Sequence, residues 1–267
     1  MAYSPLQLAP KYLNYLLSAS NGKGHGIHSP FVFELVTRVL ADKRAYPDYA
    51  PVEGLRQALK KDSRTIPTED FGAGSVTSAL QRKRSISSIA RSALKPPKFG
   101  QLFFRMAHYY KPGVVLELGT SLGITTAYLA AGNPRARVIT LEGAPGIAAE
   151  ARKNFGHLGL DRIRIVEGNF DDTLASILVE VPRLDLVYID GNHRLEPTLR
   201  YFRQIRPLLH EDSILVFDDI HWSEEMEAAW AALCKEEGVT CSVDLFYIGM
   251  LFFRKSFKVP QHFTVRF

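Results

Sequence analysis

The stretch Val114-Val115-Leu116-Glu117-Leu118-Gly119-Thr120-Ser121-Leu122-Gly123-Ile124-Thr125-Thr126 decides how the chain is read. Residues 114–118 are a short apolar run that opens on two β-branched residues and is broken only by Glu117. Such a run suits a central parallel strand covered on both faces. Gly119 and Gly123 remove side chains where a backbone must turn or approach a ligand closely. Thr120 or Ser121 is placed to cap a helix that runs through residues 127–131. A strand, a glycine turn and a helix start, in that order, predict backbone N–H groups open to a ligand at the strand's carboxyl end. The Gly-x-x-x-Gly spacing departs from the Gly-x-Gly-x-x-Gly fingerprint of dinucleotide sites, so a pyrophosphate is not the expected ligand.

Working outward, Lys98-Phe99-Gly100-Gln101 leads a helix with Leu102, Phe103, Met106 and Tyr109 on its apolar side. Lys111-Pro112-Gly113 ends that helix and feeds the strand. Downstream, further strands are predicted at 138–141, 163–166, 184–189 and 214–217. Helices follow them at 144–155, 171–177, 197–209 and 224–236. Segments 241–247 and 250–254 flank Ile248-Gly249 and read as two strands joined by a tight turn, so the final strand enters antiparallel. This alternation is the pattern of an α/β doubly wound parallel sheet.

Residues 1–97 precede that pattern and read as a helical extension and lid, leaving 98–267 as the main domain. Leu6, Leu8, Tyr12, Leu13, Leu16 and Leu17 give residues 5–18 an amphipathic helical spacing. Ser29 followed by Pro30 marks the start of a second helix, and Leu55 and Leu59 belong to a third over 51–61. The polar segment 62–75, ending Asp70-Phe71-Gly72-Ala73-Gly74-Ser75, reads as a mobile connection with glycine hinges. The basic, serine-rich residues 82–92 read as a solvated segment. His25 and His28, in a glycine-rich loop, read as structural.

The composition narrows the class. In 267 residues, 46% are hydrophobic and 23% charged, ordinary values for a globular protein large enough to bury a full core. No apolar run approaches the roughly 20 residues of a membrane span. The start has no basic leader pattern, and the two cysteines, Cys234 and Cys241, make neither a disulfide framework nor metal-finger spacing. A cytoplasmic setting is the expectation. The net charge of +5 is uneven: residues 1–110 carry 16 Lys/Arg against 7 Asp/Glu, and the remainder 17 against 21. Arg82-Lys83-Arg84 lacks interleaved aromatics, so nucleic acid is not the expected partner.

In an open parallel sheet, ligands bind beyond the carboxyl ends of the strands. Those ends read Glu117 with the 119–123 turn, Glu142-Gly143, Glu167-Gly168-Asn169-Phe170, Asp190-Gly191-Asn192-His193 and Asp218-Asp219-Ile220-His221-Trp222. All five carry acidic residues, and no phosphate-binding Lys stands at the first turn. A nucleoside with positive charge suits this rim better than a triphosphate. Glu142 lies where a carboxylate can take both hydroxyls of a ribose. Asn169 and Phe170 are placed either to hold an adenine or to cap and pack a helix.

Glu117-Leu118-Gly119-Thr120-Ser121-Leu122-Gly123, Glu142, Gly168-Asn169, Asp190 and the closing strand pair resemble a class I S-adenosylmethionine-dependent methyltransferase over about residues 98–254. Within that class the chain is most similar to the catechol O-methyltransferase-like group. Lys98-Phe99-Gly100-Gln101, Ile189-Asp190-Gly191-Asn192-His193 and Val216-Phe217-Asp218-Asp219 carry this closer resemblance. The first 97 residues look like the helical extension of uncharacterised bacterial methyltransferases. The resemblance implies a Rossmann-like, seven-stranded sheet with an antiparallel last strand. It also implies that Glu117, Gly119, Thr120, Ser121 and Gly123 hold the methionine part of S-adenosyl-L-methionine, Glu142 the ribose, and Gly168, Asn169 and Phe170 the adenine, with Asp190 beside the cofactor. Asp190, Asp218 and Asp219 would bind a divalent ion, Mg²⁺ by the hardness of its oxygen ligands. Asp219 stands where the group has Asn, and His193, with Asp190 the catalytic candidate, stands where it has a Lys base.

The implied activity is O-methylation of a small hydroxylated molecule, with metal assistance. Two other acceptors, RNA and protein, follow from the basic first part. A non-catalytic nucleoside-binding module is the reading from a different class. An aminopropyl transferase shares the fold but needs a diamine pocket that the sequence does not locate. The exposed helical arm makes a homodimer the expected assembly.

Overall fold

The computed structural model describes every residue except 1, 21, 25 and 69–81. The Asp70–Ser75 glycine segment and His25 therefore lie outside the described residues. In chain order the elements are α1 (Pro5–Ser18), α2 (Pro30–Glu34, continued by a π-helical turn Leu35–Leu40), α3 (Tyr49–Leu59), β1 (Thr65–Thr68), β2 (Arg82–Ser85), α4 (Ile86–Ala93) and α5 (Pro97–Tyr110). Then come β3 (Val114–Leu118), α6 (Ile124–Gly132), β4 (Arg137–Glu142), α7 (Pro145–His157), β5 (Arg164–Glu167), α8 (Phe170–Glu180) and β6 (Leu184–Ile189). The chain closes with α9 (Leu195–Ile205), β7 (Leu209–Asp218), α10 (Glu224–Leu233), β8 (Cys241–Asp244), β9 (Ile248–Phe252) and β10 (Gln261–Thr264). It divides into two compact units, residues 43–180 and residues 1–42 with 181–267.

In the first unit, β3, β4 and β5 pair in parallel in that order. Val115, Leu116, Leu118, Ile139 and Leu141 are all buried, which is why their run is continuous rather than alternating. The predicted lead-in glycine, Gly100, serves helix packing: a Cβ there would strike the ring of Tyr128 on α6. The segment expected to be a solvated connection is partly built. Strands β1 and β2 form an antiparallel hairpin, and Ser85 then caps α4 by accepting from Ser88 N–H at 3.1 Å. Ile86, Ile89 and Ala90 of α4 are buried, so the basic, serine-rich residues 82–92 carry an apolar face. Arg64, just before the hairpin, pairs with the buried Glu150 of α7 at 2.7 Å.

In the second unit, β6 and β7 are parallel, β9 runs antiparallel to both β7 and β8, and β10 lies parallel to β8. The antiparallel entry is as expected, but the turn falls at 245–247, and Ile248 and Gly249, expected to form it, open β9. Strands β3 to β10 number eight, one more than the seven expected, because β10 is a four-residue strand behind a Pro/Lys-rich loop. Helix α1 begins on a capping box, Ser4 with Gln7. Its inner face is Leu8, Tyr12, Tyr15 and Leu16, packed with Phe246 and Tyr247 of the β8–β9 turn. Leu6, Leu13 and Leu17 of the same helix are exposed.

Candidate active site

At the carboxyl end of β3, Glu117 is fully buried. Its Oε2 accepts from the Thr140 hydroxyl of β4 at 2.6 Å and from the Thr126 hydroxyl in the first turn of α6. Thr140 lies 2.6 Å from the hydroxyl of Thr120, so a chain of hydroxyls pins the turn to the neighbouring strand. A carboxylate this deep is tolerable only with such donors, and the α6 amino end adds a favourable field. Thr126 and Thr140 are partners that the sequence reading missed.

The turn itself differs from expectation in two respects. The cap of α6 is Gly123 at φ 81°, with no side-chain cap bond, in place of Thr120 or Ser121. Thr120 is spent on Thr140, and a Cβ on Gly123 would lie 2.5 Å from the ring of Phe155. The backbone donors are also used within the protein. Gly119 and Thr120 N–H both reach Leu141 O, at 3.0 and 3.1 Å, and Gly123 N–H reaches Thr120 O at 2.9 Å. Ser121 N–H donates to Glu142 Oε2 at 2.8 Å. The turn is therefore a stiff backing for a ligand, where a cradle of open donors was expected.

Glu142, at the carboxyl end of β4, also accepts Ala144 N–H at 3.0 Å on Oε1. The carboxylate is thus fixed by one backbone donor on each oxygen and stays partly exposed. Gly168 N–H reaches Glu142 O at 3.0 Å, tying the end of β5 to the same place. Asn169 Oδ1 accepts from Asp171 N–H at 3.1 Å, so its carbonyl caps α8, and Phe170 begins that helix half-buried. Hydrogen bonds and chain connectivity thus bring together Glu117, Gly119, Thr120, Ser121, Gly123, Glu142, Gly168 and Asn169 within one unit.

The other unit carries Asp190, His193, Asp218 and Asp219. Asp190 accepts from the Tyr188 hydroxyl at 2.9 Å, and His193 Nε2 lies 3.6 Å from its other oxygen. Both side chains are partly exposed. Asp218 is buried, and Asp219 takes a left-handed backbone at φ 52° with its N–H on Tyr247 O at 2.7 Å. Among the described residues, no group of three or more His, Cys, Asp and Glu side chains is arranged to hold a metal ion. Asp190, Asp218 and Asp219 do not converge as a ligand set in this geometry.

Next to them lies a network that spacing in the sequence did not reveal. His221 Nε2 is 2.8 Å from Asp244 Oδ2 and Nδ1 is 3.2 Å from Glu227 Oε1. Burial works against the charged imidazole, but the bonds to Asp244 and Glu227 outweigh it and raise the His221 pKa. Glu227 moves the opposite way: burial opposes ionisation, and Lys11, Tyr3 and His221 together hold the carboxyl below its usual range.

Residues 116–220 match a family described as a methyltransferase domain. The chain carries a methyltransferase domain. Every expected site residue, from Glu117 to Asp219, lies inside it. A catechol O-methyltransferase of Mycobacterium tuberculosis is 38% identical over 108 residues, 40% of this chain and 47% of that protein. A second, from Niastella koreensis, is 31% identical over 127 residues, 46% of this chain and 57% of that protein. The chain spans about half the length of the curated relatives it matches. An O-methyltransferase from Bacillus cereus, solved in complex with SAH, superposes with a TM-score of 0.53 at 19% identity, over 83% of this chain and 97% of that one. At that identity the likeness shows the fold, an α/β arrangement with mostly parallel strands around the methyltransferase domain. No helix among the described residues is long and apolar enough to cross a membrane.

Proposed function

We propose that the chain binds S-adenosylmethionine and transfers its methyl group to a hydroxyl of a small molecule. The observation that carries this reading is Glu142. Its carboxylate accepts one backbone N–H on each oxygen, from Ser121 and Ala144. Those bonds fix a partly exposed carboxylate at the carboxyl end of β4, where a carboxylate can accept the paired hydroxyls of a ribose. The residues fit the cofactor in a second respect. The turn after β3 uses the N–H groups of Gly119, Thr120, Ser121 and Gly123 within the protein, which suits a nucleoside without phosphate. The curated relatives are named as catechol O-methyltransferases, which supports a small hydroxylated acceptor.

When bound, S-adenosylmethionine supplies a methyl group already activated on a sulfonium. The chain's own task is then alignment and proton removal. Glu142 orients the ribose, Gly119 to Gly123 back the methionine part, and Asn169 and Phe170 flank the adenine. His193 takes the proton from the acceptor hydroxyl, and Asp190, held by Tyr188, faces the imidazolium that results. Calorimetry with S-adenosylmethionine on wild type and Glu142→Ala tests this. The two ribose bonds to a charged acceptor predict a loss of about 100-fold or more in affinity. Equal binding by both proteins removes the assignment, and no binding by either removes the function.

The same reading places the reaction in the cytoplasm, where the two free cysteines, Cys234 and Cys241, stay reduced. It also makes the assembly a homodimer through α1. The exposed face of that helix carries no charge, and an antiparallel copy sets Leu6 against Leu17 and Pro10 against Leu13, the self-complementarity a two-fold axis demands. Sedimentation should show a dimer for wild type and a monomer for Leu13→Glu; a monomeric wild type ends this part of the reading.

A further inference from the structure

The proposed chemistry leaves the N-terminal arm without a task, yet two of its side chains and one from the loop after β7 meet on a single carboxylate there. Glu227, in the first turn of α10, accepts the Tyr3 hydroxyl at 2.7 Å. Lys11 Nζ reaches its two oxygens at 3.0 and 2.9 Å. His221 of the loop after β7 approaches from a third side, and that histidine's other nitrogen is on Asp244 of β8. His221 thus has a carboxylate at each ring nitrogen, an arrangement that favours its charged form and clamps the ring.

Ring packing and main-chain bonds complete the arrangement. Phe246 stacks on His221 with centroids 5.2 Å apart, and its N–H is held by Asp244 Oδ1 at 2.7 Å. Tyr12 and Tyr15 of α1 pack on that same ring at 4.9 and 5.3 Å. Tyr3 N–H donates to Trp222 O at 2.9 Å, and Ala2 makes a strand-like bridge with Ser223. The arm is thus fastened by backbone and by side chain to residues 219–223. Those residues form the loop at the carboxyl end of β7, the end at which open α/β sheets place their ligands.

We propose that residues 2–18 are a built wall of the acceptor side of the site, and that Glu227 is the positioning residue that holds arm and loop in one register. This rests on the function proposed above. In the sequence the arm reads only as part of a helical extension and lid. The network makes it a determinant of which acceptor fits, because any acceptor reaching Asp219 to Trp222 meets a loop whose shape Tyr3, Lys11 and His221 set through one carboxylate.

The test compares wild type with Glu227→Gln, with the milder pair Tyr3→Phe/Lys11→Met, and with Lys11→Arg as the conservative control. Hydrogen exchange is followed at residues 2–18 and 219–223, S-adenosylmethionine affinity is measured directly, and kinetics are run on the best acceptor from a hydroxylated-compound panel. In Glu227→Gln and in the pair, exchange should rise in both segments together. Acceptor KM should rise about 10-fold with kcat within about 3-fold, the split expected of lost positioning rather than lost chemistry. Cofactor affinity should stay unchanged, and Lys11→Arg should restore the KM. Exchange that rises in the arm alone, or a KM that does not move, overturns the proposal. A Glu227→Gln protein that loses cofactor affinity as well has misfolded, and the milder pair then decides. A wild type that binds no S-adenosylmethionine overturns the acceptor wall through the function on which it rests, a failure distinct from uncoupled exchange in the variants.

Discussion

The turn after β3 and the loop after β7 both follow a buried parallel strand that ends near carboxylates, but they are held differently. After β3, the partners are mostly backbone. Gly119 and Thr120 donate to Leu141 O, Ser121 to Glu142, and Gly123 to Thr120 O. After β7, side chains from distant segments hold the loop: Tyr3 and Glu227 are 224 residues apart, and Lys11 and Glu227 are 216 apart. A backbone-built turn is specified by where glycine stands. A side-chain-built loop is specified by which charges the folded chain brings together, and it yields to conditions that change those charges.

The comparison predicts that the first region breaks by geometry. Gly123→Ala places a methyl 2.5 Å from Phe155 at a backbone angle of φ 81° that L-residues rarely adopt. We expect a loss of about 3 kcal/mol in urea unfolding, the sum of strain and overpacking, with weaker cofactor binding. A loss below about 1 kcal/mol would mean that the turn yields easily, and the contrast with the second region would then fade.

How much was legible follows from the same contrast. The strands β3 to β9 could be read because buried parallel strands are local apolar runs, and the turns at their ends carry Gly, Asn and Asp. The place of Glu142 at the carboxyl end of β4 could be read because it depends on strand order, which the alternating pattern supplies. The bonds from Thr126 and Thr140 to Glu117 could not be read, because a threonine in a helix or strand gives no sign of which carboxylate it will face. The network of Tyr3, Lys11, His221, Glu227 and Asp244 is illegible for the same reason in a stronger form. The β1–β2 hairpin and β10 were missed because both are short and polar, and only pairing makes them strands.

The second region should give way by charge, and alkaline pH is the direct way to show it. Burial pushes the Tyr15 phenol up to about 12, against 10.0 for the free group, with Val265 O accepting its proton at 2.6 Å. A group raised in the folded state contributes fully below its unfolded pKa, and the contribution is lost as pH rises from 10 through about 12. The loss is at most about 2–3 kcal/mol and should free the α1 arm, seen as faster exchange in residues 2–18. Tyr128, in the other unit, is also raised by burial and by the Glu53 carboxylate, so tyrosinate absorbance alone does not separate the two. Tyr15→Phe does: its arm should stay in place over that range while the wild-type arm is released. An arm that opens equally in both proteins would move the alkaline limit elsewhere.

The smallest expected effect concerns metal. Asp190, Asp218 and Asp219 follow strands of one unit, so their positions can be compared directly, and they do not gather into a ligand set. Asp190 is turned to Tyr188 and His193, Asp218 is buried, and Asp219 sits in a left-handed turn fixed by Tyr247 O. Methyl transfer from a sulfonium to a hydroxyl needs a proton acceptor and alignment, and His193 is the proton acceptor in the function proposed above. Turnover should therefore be unchanged by EDTA, measured alongside Asp218→Asn as a control on the same strand end. Activity that EDTA abolishes and Mg²⁺ restores would show that the loop after β7 rearranges to gather its carboxylates. The clamp around Glu227 would then have to open for catalysis, and the rigid loop of this comparison would become the moving one.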